Sequence, residues 1–226
     1  MIIERSSYAG SGKFGSMWLG NSYSTGEYMG FSVTGTMSHN IAGIPLTGAD
    51  ICGFQGDTDA ELCARWYTVG AFYPFSRNHN SINSNPQYPW SFNGVYIKSV
   101  LYQDIFMNAM LTKLHLIRYY YTQLSLVQQV GGAFYRPLFF DFPNDDNAYI
   151  NQELNVMLGP SLKLGIQSTH GVSLTPFYYP AGRYCSVFCK SETECCKTYV
   201  NGTQEVLPSY AFNFYLDLLA GHIIPM

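Results

Sequence analysis

The cysteines are the most closely clustered reactive residues in this sequence. Four of the six cysteines fall in one short segment, at Cys185, Cys189, Cys195 and Cys196. Thiolates this close together can bind Zn²⁺, but their spacing lacks the paired Cys-x2-Cys arrangement of structural zinc sites. Disulfide bonds are therefore the favoured interpretation, with a zinc site or unpaired buried thiols as the alternatives. We expect no resident metal and no cofactor.

The histidines do not form a second metal or catalytic constellation. Four of them show no ligand spacing with one another: His39, His115, His170 and His222. We expect these to be ordinary surface or core residues. Two other polar residues, Asp50 and His79, each follow an apolar segment, where Asp can accept hydrogen bonds from loop amides and His can bond a carbonyl.

The composition excludes several classes of protein. The 226 residues suffice for one large domain or parts of two, and 16% of them are aromatic. With 12 basic and 15 acidic residues and no basic stripe, nucleic-acid binding is not expected. No apolar run reaches the roughly 18 residues that a membrane span needs. The first residues are too few and too polar for a signal peptide, so we expect none in this chain.

Apolar segments and turns in the first half predict alternating strands and helices. Residues 41–46 predict a buried strand that leads into a loop at residues 47–51. Thr58 and Glu61 have the spacing of a capping box, so a helix is predicted from there to Val69. Residues 71–75 predict a second buried strand. This rhythm is typical of parallel β/α units.

Later segments carry different signals. Residues 81–95 are rich in Asn, Ser and Pro and predict a loop. A helical pattern covers residues 100–130, with room for two helices, and Gly131-Gly132 ends it. Beyond residue 132, short apolar segments alternate with Pro, Gly and Asn turns, which predicts an antiparallel β domain. We therefore place a domain boundary at residue 132.

A series of short motifs, in a fixed order, covers nearly the whole chain. They are Arg-Ser-Ser-Tyr-Ala-Gly-Ser-Gly at 5–12, Trp-Leu-Gly at 18–20, Gly-Ala-Asp-Ile-Cys-Gly-Phe at 48–54, Gly-Ala-Phe-Tyr-Pro-Phe-Ser-Arg-Asn-His-Asn at 70–80, Arg-Pro-Leu-Phe-Phe-Asp-Phe-Pro at 136–143, Met-Leu-Gly-Pro-Ser-Leu at 157–162, Tyr-Pro-Ala-Gly-Arg at 179–183 and Gly-His-Ile-Ile-Pro at 221–225. Together they resemble the signatures of glycoside hydrolase family 31, the α-glucosidase and maltase group.

That resemblance implies a fold and a chemistry. Members of the family have a (β/α)8 TIM barrel followed by β-sandwich domains, with the active site at the carboxyl ends of the barrel strands. They cleave α-glucosidic bonds with retention, using one Asp as nucleophile and another as acid/base. The resemblance therefore predicts an α/β chain: residues 1–132 form the C-terminal β/α units of a barrel, and residues 133–226 form the proximal antiparallel β-sandwich.

The chain departs from the family at the catalytic positions. Asn21 stands where the acid/base Asp is expected, and an amide has no proton to exchange near neutral pH. Met17 replaces a His and Gly26 replaces a Trp. The family nucleophile precedes the motif at residues 5–12, so we expect it to be absent from this chain. The sequence thus predicts a non-catalytic structural or interaction module, with one part of an active retaining α-glucosidase as the alternative and a sugar-binding relic as a third possibility.

Five residues match positions that contact the terminal glucose in active relatives. They are Arg5, Trp18, Asp50, Phe54 and His79. Charged groups that bond vicinal hydroxyls, beside an aromatic face, are the expected contacts of a sugar pocket. The resemblance assigns them vestigial substrate binding, while a purely architectural role stays open.

Further expectations concern the compartment and the surface. Extracellular relatives join cysteines that resemble Cys52 and Cys63 in a disulfide, and Asn201-Gly-Thr forms a glycosylation sequon. These features favour a lumenal or secreted protein. Tyr119, Tyr120 and Tyr121 are expected to pack in the core.

The predicted half barrel also implies a partner. A few strands cut from a barrel leave an open edge and an apolar face, both of which favour association. We therefore expect another polypeptide to complete or cover this face within a larger assembly, with an α-glucoside as a possible ligand.

Overall fold

The computed structural model describes residues 2–189 and 195–225. Its first half contains short parallel strands: β1 (Ile3–Glu4), β2 (Ser16–Trp18), β3 (Thr47–Gly48), β4 (Asp50–Ile51) and β5 (Arg77–Asn78). Strands β1, β2 and β3 form one parallel sheet in that order, and β4 pairs with β5 in parallel. Two helices connect these strands, α1 (Gly26–Ile41) between β2 and β3 and α2 (Ala60–Gly70) between β4 and β5. The predicted alternation of strand and helix is therefore present.

Helix α1 overturns the strand predicted at residues 41–46. The helix continues to Ile41, turns follow, and the strand begins at Thr47. Glycine, serine and threonine inside α1 concealed it, because they weaken its apolar period. Its buried face satisfies its own polar groups: the Thr36 hydroxyl donates to the Ser32 carbonyl at 2.7 Å.

Two details around α2 also differ from the sequence prediction. Asp59, not Thr58, caps the helix, since its Oδ1 accepts from the Leu62 amide at 2.8 Å. Residues 71–75 are mostly buried as predicted, yet they do not form a strand. Their amides bond back to the end of α2, with Ala71 N donating to the Tyr67 carbonyl at 2.9 Å, and the strand begins only at Arg77.

The helical pattern at residues 100–130 is confirmed as two helices. A hairpin of β6 (Tyr96–Ile97) and β7 (Val100–Leu101) leads into α3 (Tyr102–His115), and α4 (Ile117–Val130) follows. Gly131 ends α4 with a positive φ of 81°, a conformation that favours glycine. Residues 81–95 contain no helix or strand, as predicted.

The second half is antiparallel, as the sequence predicts. Its strands are β8 (Tyr135–Pro137), β9 (Asn155–Leu158), β10 (Leu162–Gly165), β11 (Leu174–Tyr179), β12 (Gly182–Ser186), β13 (Cys196–Tyr199), β14 (Thr203–Pro208) and β15 (Tyr215–Leu219). Six of them form one sheet in the order β13-β12-β15-β10-β9-β8, while β11 pairs with β14. Tyr119 and Tyr120 are buried as expected, whereas Tyr121 is 78% exposed, so the core prediction fails for that ring.

The two halves share one hydrophobic core. Val33 on α1, Trp66 on α2 and Phe72 belong to the same buried cluster as Phe134 and Leu164 of the antiparallel half. The boundary at residue 132 therefore remains a prediction, because packing runs across it.

The described cysteines form three disulfides. Cys52 pairs with Cys63 with 4.5 Å between their α-carbons, and Cys185 pairs with Cys196 and Cys189 with Cys195. The disulfide interpretation is confirmed, and the zinc and free-thiol alternatives are wrong. Among residues 2–189 and 195–225, no helix is both long and apolar enough to cross a membrane.

Arg65 is a buried cation that joins the two halves. It lies on α2 with 1% of its surface exposed. Its Nη1 donates to the Ser209 carbonyl at 2.6 Å and its Nη2 to the Val172 carbonyl at 3.0 Å. Glu61, one turn earlier, accepts from the same guanidinium at 2.8 Å and compensates its charge. One side chain thus provides hydrogen bonds to carbonyl groups in two loops of the antiparallel half.

We expect Arg65→Met to lower the free energy of unfolding by about 3 kcal/mol, because two carbonyls and a carboxylate lose their donor. Urea unfolding followed by circular dichroism measures this. Lys197→Met is the control, since Lys197 pairs with Glu205 on the surface and such pairs contribute about 0–1 kcal/mol. Equal losses in the two variants would contradict the role of Arg65.

Lys163 is a second buried cation, on β10. Its Nζ donates to Asn155 Oδ1 at 3.2 Å and lies 4.0 Å from the centre of the Tyr179 ring. Burial lowers the pKa of Lys163 to about 8, although the carboxylates of Asp217 and Glu205 favour the charged form. The folded protein therefore releases this proton at a lower pH than the unfolded chain.

The free energy of unfolding should therefore depend on pH. Between about pH 8 and the ordinary lysine pKa, the unfolded chain holds a proton that the folded protein has lost, so folding becomes more favourable as pH rises. Relative to Lys163→Met, the natural protein should gain up to about 1.4 kcal/mol per pH unit in this window. Urea unfolding at pH 7.5 and 9.5 tests this, with Lys197→Met as the exposed control. A stability difference that does not change with pH would contradict the prediction.

Candidate functional site

Polar and aromatic side chains converge where the parallel strands end. Arg5 directly follows β1, Trp18 ends β2, and Asp50 comes two residues after the end of β3, at the start of the short strand β4. Phe54 lies in the loop after β4, and His79 directly follows β5. The carboxyl ends of parallel strands meet at one edge, which is where binding sites form in such folds. The structure thus brings all five predicted contact residues to one place.

The centre of this site is the ion pair between Asp50 and Arg77. The parallel register of β4 and β5 sets these two residues opposite each other. Asp50 is fully buried, and its Oδ1 accepts from Arg77 Nε at 2.8 Å and lies 2.6 Å from an Nη atom.

Burial governs the charge of this carboxyl group. Removal from water raises the pKa of Asp50 above its ordinary value. The hydrogen bond and positive charge of Arg77 oppose that shift, and the charge of His79 and a hydrogen bond from Trp18 oppose it more weakly. The carboxyl group is therefore held between the Arg77 guanidinium and the Trp18 indole.

Aromatic rings line the site beside the ion pair. Trp18 meets Phe54 edge-on with 5.9 Å between ring centres, and Phe54 lies 5.4 Å from the His79 ring. The guanidinium of Arg77 lies 5.1 Å from the Trp18 ring centre, and that of Arg5 lies 5.7 Å from it. Apolar faces next to charged hydrogen-bonding groups can bind a polar ring such as a sugar.

Three positions depart from the pattern that the resemblance predicts: Met17, Asn21 and Gly26. Asn21, three residues after Trp18, lines a pocket of about 200 Å³ with Tyr28 and Phe31 of α1. Gly26 begins α1, and a Cβ there would lie 3.0 Å from the amide nitrogen of His170. The loop that carries His170 therefore occupies the space that a larger side chain would need. Met17 is buried on β2.

Sequence reasoning missed three polar residues that build the site. Arg77 and Asn78 belong to the motif at residues 70–80, yet that motif by itself points only to their neighbour His79. The Asn78 amide donates to Tyr67 Oη on α2 at 2.5 Å and to the Gln87 carbonyl at 2.8 Å. Gln87 is buried and donates to the Gly53 carbonyl at 2.9 Å. Only the strand register reveals that Arg77 faces Asp50.

The backbone after Asp50 is held in an uncommon conformation. Cys52 has a positive φ of 76°, which is strained for a residue with a side chain. Its disulfide to Cys63 ties this bend to α2. Nowhere in the described ranges do three or more His, Cys, Asp or Glu side chains form a group that could hold a metal ion.

Comparison with known proteins agrees with this geometry. The family model described as glycosyl hydrolases family 31 TIM-barrel domain matches residues 1–123. The lysosomal alpha-glucosidase of Rattus norvegicus is 38% identical over 183 residues, which are 81% of this chain and 18% of that protein. The lysosomal alpha-glucosidase of Bos taurus is 34% identical over 236 residues, covering 100% of this chain and 24% of that protein.

Solved structures show the same fold. The glucosidase II alpha subunit in its Tris-bound form superposes with a TM-score of 0.88 at 24% identity, over 98% of this chain and 23% of that one. A Flavobacterium johnsoniae dextranase complexed with glucose gives 0.85 at 24% identity, over 98% of this chain and 27% of that one.

The chain therefore spans about a quarter or less of the length of the curated relatives cited. Family-model match, sequence identity and fold all agree with the motifs along the sequence. The chain belongs to glycoside hydrolase family 31.

Proposed function

We propose that this protein is a non-catalytic α-glucosidase-like module that keeps a glucoside-binding pocket. The observation that carries the proposal is Asn21, an amide at the position where the family places its acid/base carboxyl group. Without a titratable group there, a leaving glycosidic oxygen receives no proton. Such help is commonly worth about 10²–10⁴ in rate, so hydrolysis of natural glucosides is lost.

The arrangement of strands supports a barrel origin. The parallel strands β1 to β5, with α1 and α2 between them, correspond in this proposal to the last β/α units of a (β/α)8 barrel over residues 1–132. Residues 133–226 then form the proximal β-sandwich, built from the six-stranded sheet and the β11–β14 ladder. In this proposal the half barrel acts as a scaffold, and the binding site lies at the carboxyl ends of its strands.

The binding pocket is supported by the buried carboxyl group of Asp50. This group holds the Arg77 guanidinium beside the aromatic rings and also interacts with the Trp18 indole. Trp18 and Phe54 would contact the apolar face of a sugar ring. Arg5 and His79 are exposed at the rim, where they would meet further hydroxyls.

An interaction role follows from the open edge of the parallel sheet. Among the strands of residues 2–189 and 195–225, β1 pairs only with β2, and Ile2 and Phe14 nearby are 61% and 68% exposed. In our proposal, a further polypeptide or a further part of a longer chain covers this edge. One solved relative in fold is an ER glucosidase II heterodimer of a catalytic subunit with the binding domain of a regulatory subunit, which supports a partnered state.

A lumenal or secreted location completes the proposal. The three disulfides require an oxidising environment, and two of the relatives are named as lysosomal enzymes. Asn201 lies exposed in the turn between β13 and β14, where its sequon is accessible for glycosylation.

A second candidate is one part of an active retaining α-glucosidase, which hydrolyses O-glycosyl bonds. The Asp50–Arg77 pair and the aromatic rings beside it favour this candidate, because an enzyme also needs substrate contacts. In this alternative the nucleophile is supplied by another polypeptide.

Turnover assays on the intact native protein separate the two candidates. We expect no hydrolysis of maltose. α-Glucosyl fluoride needs no protonated leaving group, so the first step, in which a nucleophile displaces fluoride and a glycosyl-enzyme forms, depends on a nucleophile alone. A module without catalysis should leave both substrates unchanged, whereas cleavage of either would contradict the proposal.

Asn21→Asp extends this test, with Asn21→Ser as the matched control. We expect neither variant to hydrolyse maltose. Turnover by Asn21→Asp alone, at least about 10² above the parent, would show that a complete nucleophile site is present and would favour the second candidate.

A binding measurement tests the pocket itself. Asp50→Asn should weaken glucose binding about tenfold or more, because the charged acceptor and its Arg77 pairing are both lost. Titration calorimetry measures the affinity, and Asp104→Asn, an exposed carboxylate on α3, is the control. Unchanged binding in Asp50→Asn, with the protein folded by circular dichroism, would remove Asp50 from the pocket.

A further inference from the structure

Two disulfides lie close together in the segment between β12 and β13. Cys185 on β12 and Cys196 on β13 stand directly opposite each other in the antiparallel register and are bonded to each other. The second disulfide joins Cys189, which follows β12, to Cys195, which directly precedes β13, with 5.7 Å between their α-carbons. This second disulfide therefore lies beyond the strand pairing that the first one bridges.

The cysteines differ in their exposure to solvent. The structure describes all six, and Cys189 is the only one of them that is exposed. The other five are half-buried or fully buried: Cys185, Cys195 and Cys196 belong to the first group, and Cys52 and Cys63 to the second. A thiolate must reach a sulfur atom to open a disulfide, so Cys189 is the most accessible point of attack in the chain.

Contacts other than the disulfide hold the chain just before Cys189. The Val187 amide donates to the Leu216 carbonyl of β15 at 2.9 Å. The Phe188 ring meets the Phe214 ring edge-on, with 5.5 Å between their centres. These contacts do not involve a sulfur atom, so they persist whether the Cys189–Cys195 bond is closed or open.

Strand pairing holds the chain on the other side of this disulfide. Strand β13 pairs with β12 along its whole length, and β12 pairs in turn with β15. The Cys189–Cys195 bond spans a sequence separation of only 6, whereas the other two disulfides each span 11. Because a shorter closed loop gains less stability from its disulfide, opening this bond should release the segment that it closes and leave β12 and β13 paired.

We propose that Cys189–Cys195 is a thiol–disulfide exchange site for an external dithiol of the kind that protein oxidoreductases carry. Cys189 is the residue that forms the mixed disulfide with that partner. The other two disulfides are structural and stay closed. The site is separate from the sugar pocket, since none of the pocket residues contributes to it.

The exchange consists of two displacements. A thiolate of the dithiol attacks Sγ of Cys189, forms a mixed disulfide and displaces Cys195 as a thiolate, which takes up a proton from solvent. The second thiol of the dithiol loses its proton, attacks its own partner sulfur in the mixed disulfide and displaces Cys189, which is protonated in turn. Two electrons are transferred, so the protein disulfide becomes two thiols and the dithiol becomes a disulfide.

Differential alkylation of the native protein tests this site. The folded protein is treated with dithiothreitol, quenched with iodoacetamide at successive times and analysed by peptide mass spectrometry. We expect Cys189 and Cys195 to be alkylated at least about tenfold faster than the other four cysteines, because accessibility controls the attack. Cys52 and Cys63 are internal controls that should react only after unfolding in urea, and the far-ultraviolet circular dichroism should not change while Cys189 and Cys195 react.

A trapping experiment tests which sulfur forms the mixed disulfide. Cys195→Ser leaves Cys189 without its partner, and oxidised glutathione should then add one glutathione to Cys189. The matched control is Cys196→Ser, which leaves the half-buried Cys185 without its partner and should react about tenfold more slowly.

The outcomes decide the proposal without reference to sugar binding. Equal alkylation rates for the two disulfides between β12 and β13 would overturn it, as would resistance of Cys189–Cys195 to dithiothreitol in the folded protein. Reduction that occurs only together with loss of the circular dichroism signal would show that the bond is structural. Equal glutathione addition to Cys195→Ser and Cys196→Ser would remove Cys189 as the preferred point of attack.

Discussion

A carboxylate buried away from water is the constraint on which the site depends. Asp50 has no exposed surface, and an isolated charge in that position would be expensive to maintain. Arg77 compensates it, and Arg77 stands there only because β4 and β5 pair in parallel with these two residues in register. The disulfide to α2 and the anchors from Asn78 and Gln87 keep the two strand ends together. The Asp50–Arg77 ion pair therefore depends on the pairing of β4 with β5.

Side chains of the connecting helices also bond the antiparallel half. Arg65 on α2 bonds two of its loops, and Asn40 on α1 accepts from the Phe134 and Tyr135 amides at 3.2 and 3.0 Å. Both polar side chains are buried, so each bond replaces one that water would otherwise supply. These hydrogen bonds hold α1 and α2 against the antiparallel half. Loss of either half would break these bonds and leave the freed groups to water.

In the proposed function, sugar recognition and bond cleavage depend on different residues. The side chains around Asp50 form an organised cluster, while Asn21 carries no titratable proton. At Gly26 the backbone of His170 stands where the Cβ of a larger residue would lie. A pocket that recognises but does not cleave is a consistent outcome of these changes, and it is the physical basis of the function proposed above.

The sequence by itself determined the family, the change from parallel to antiparallel structure and the two helices at residues 100–130, because motifs and apolar periods are local properties. It also predicted five contact residues that the structure brings together. It misplaced the strands at residues 41–46 and 71–75, since a polar-rich helix and a buried turn carry weak periodic signals. The pairing of Cys185 with Cys196 and of Cys189 with Cys195, the register that sets Arg77 against Asp50, and the anchoring by Gln87 were decided only by the tertiary structure. Each of these depends on which segments, distant in sequence, lie side by side in space. The spacing of residues along the chain does not specify this.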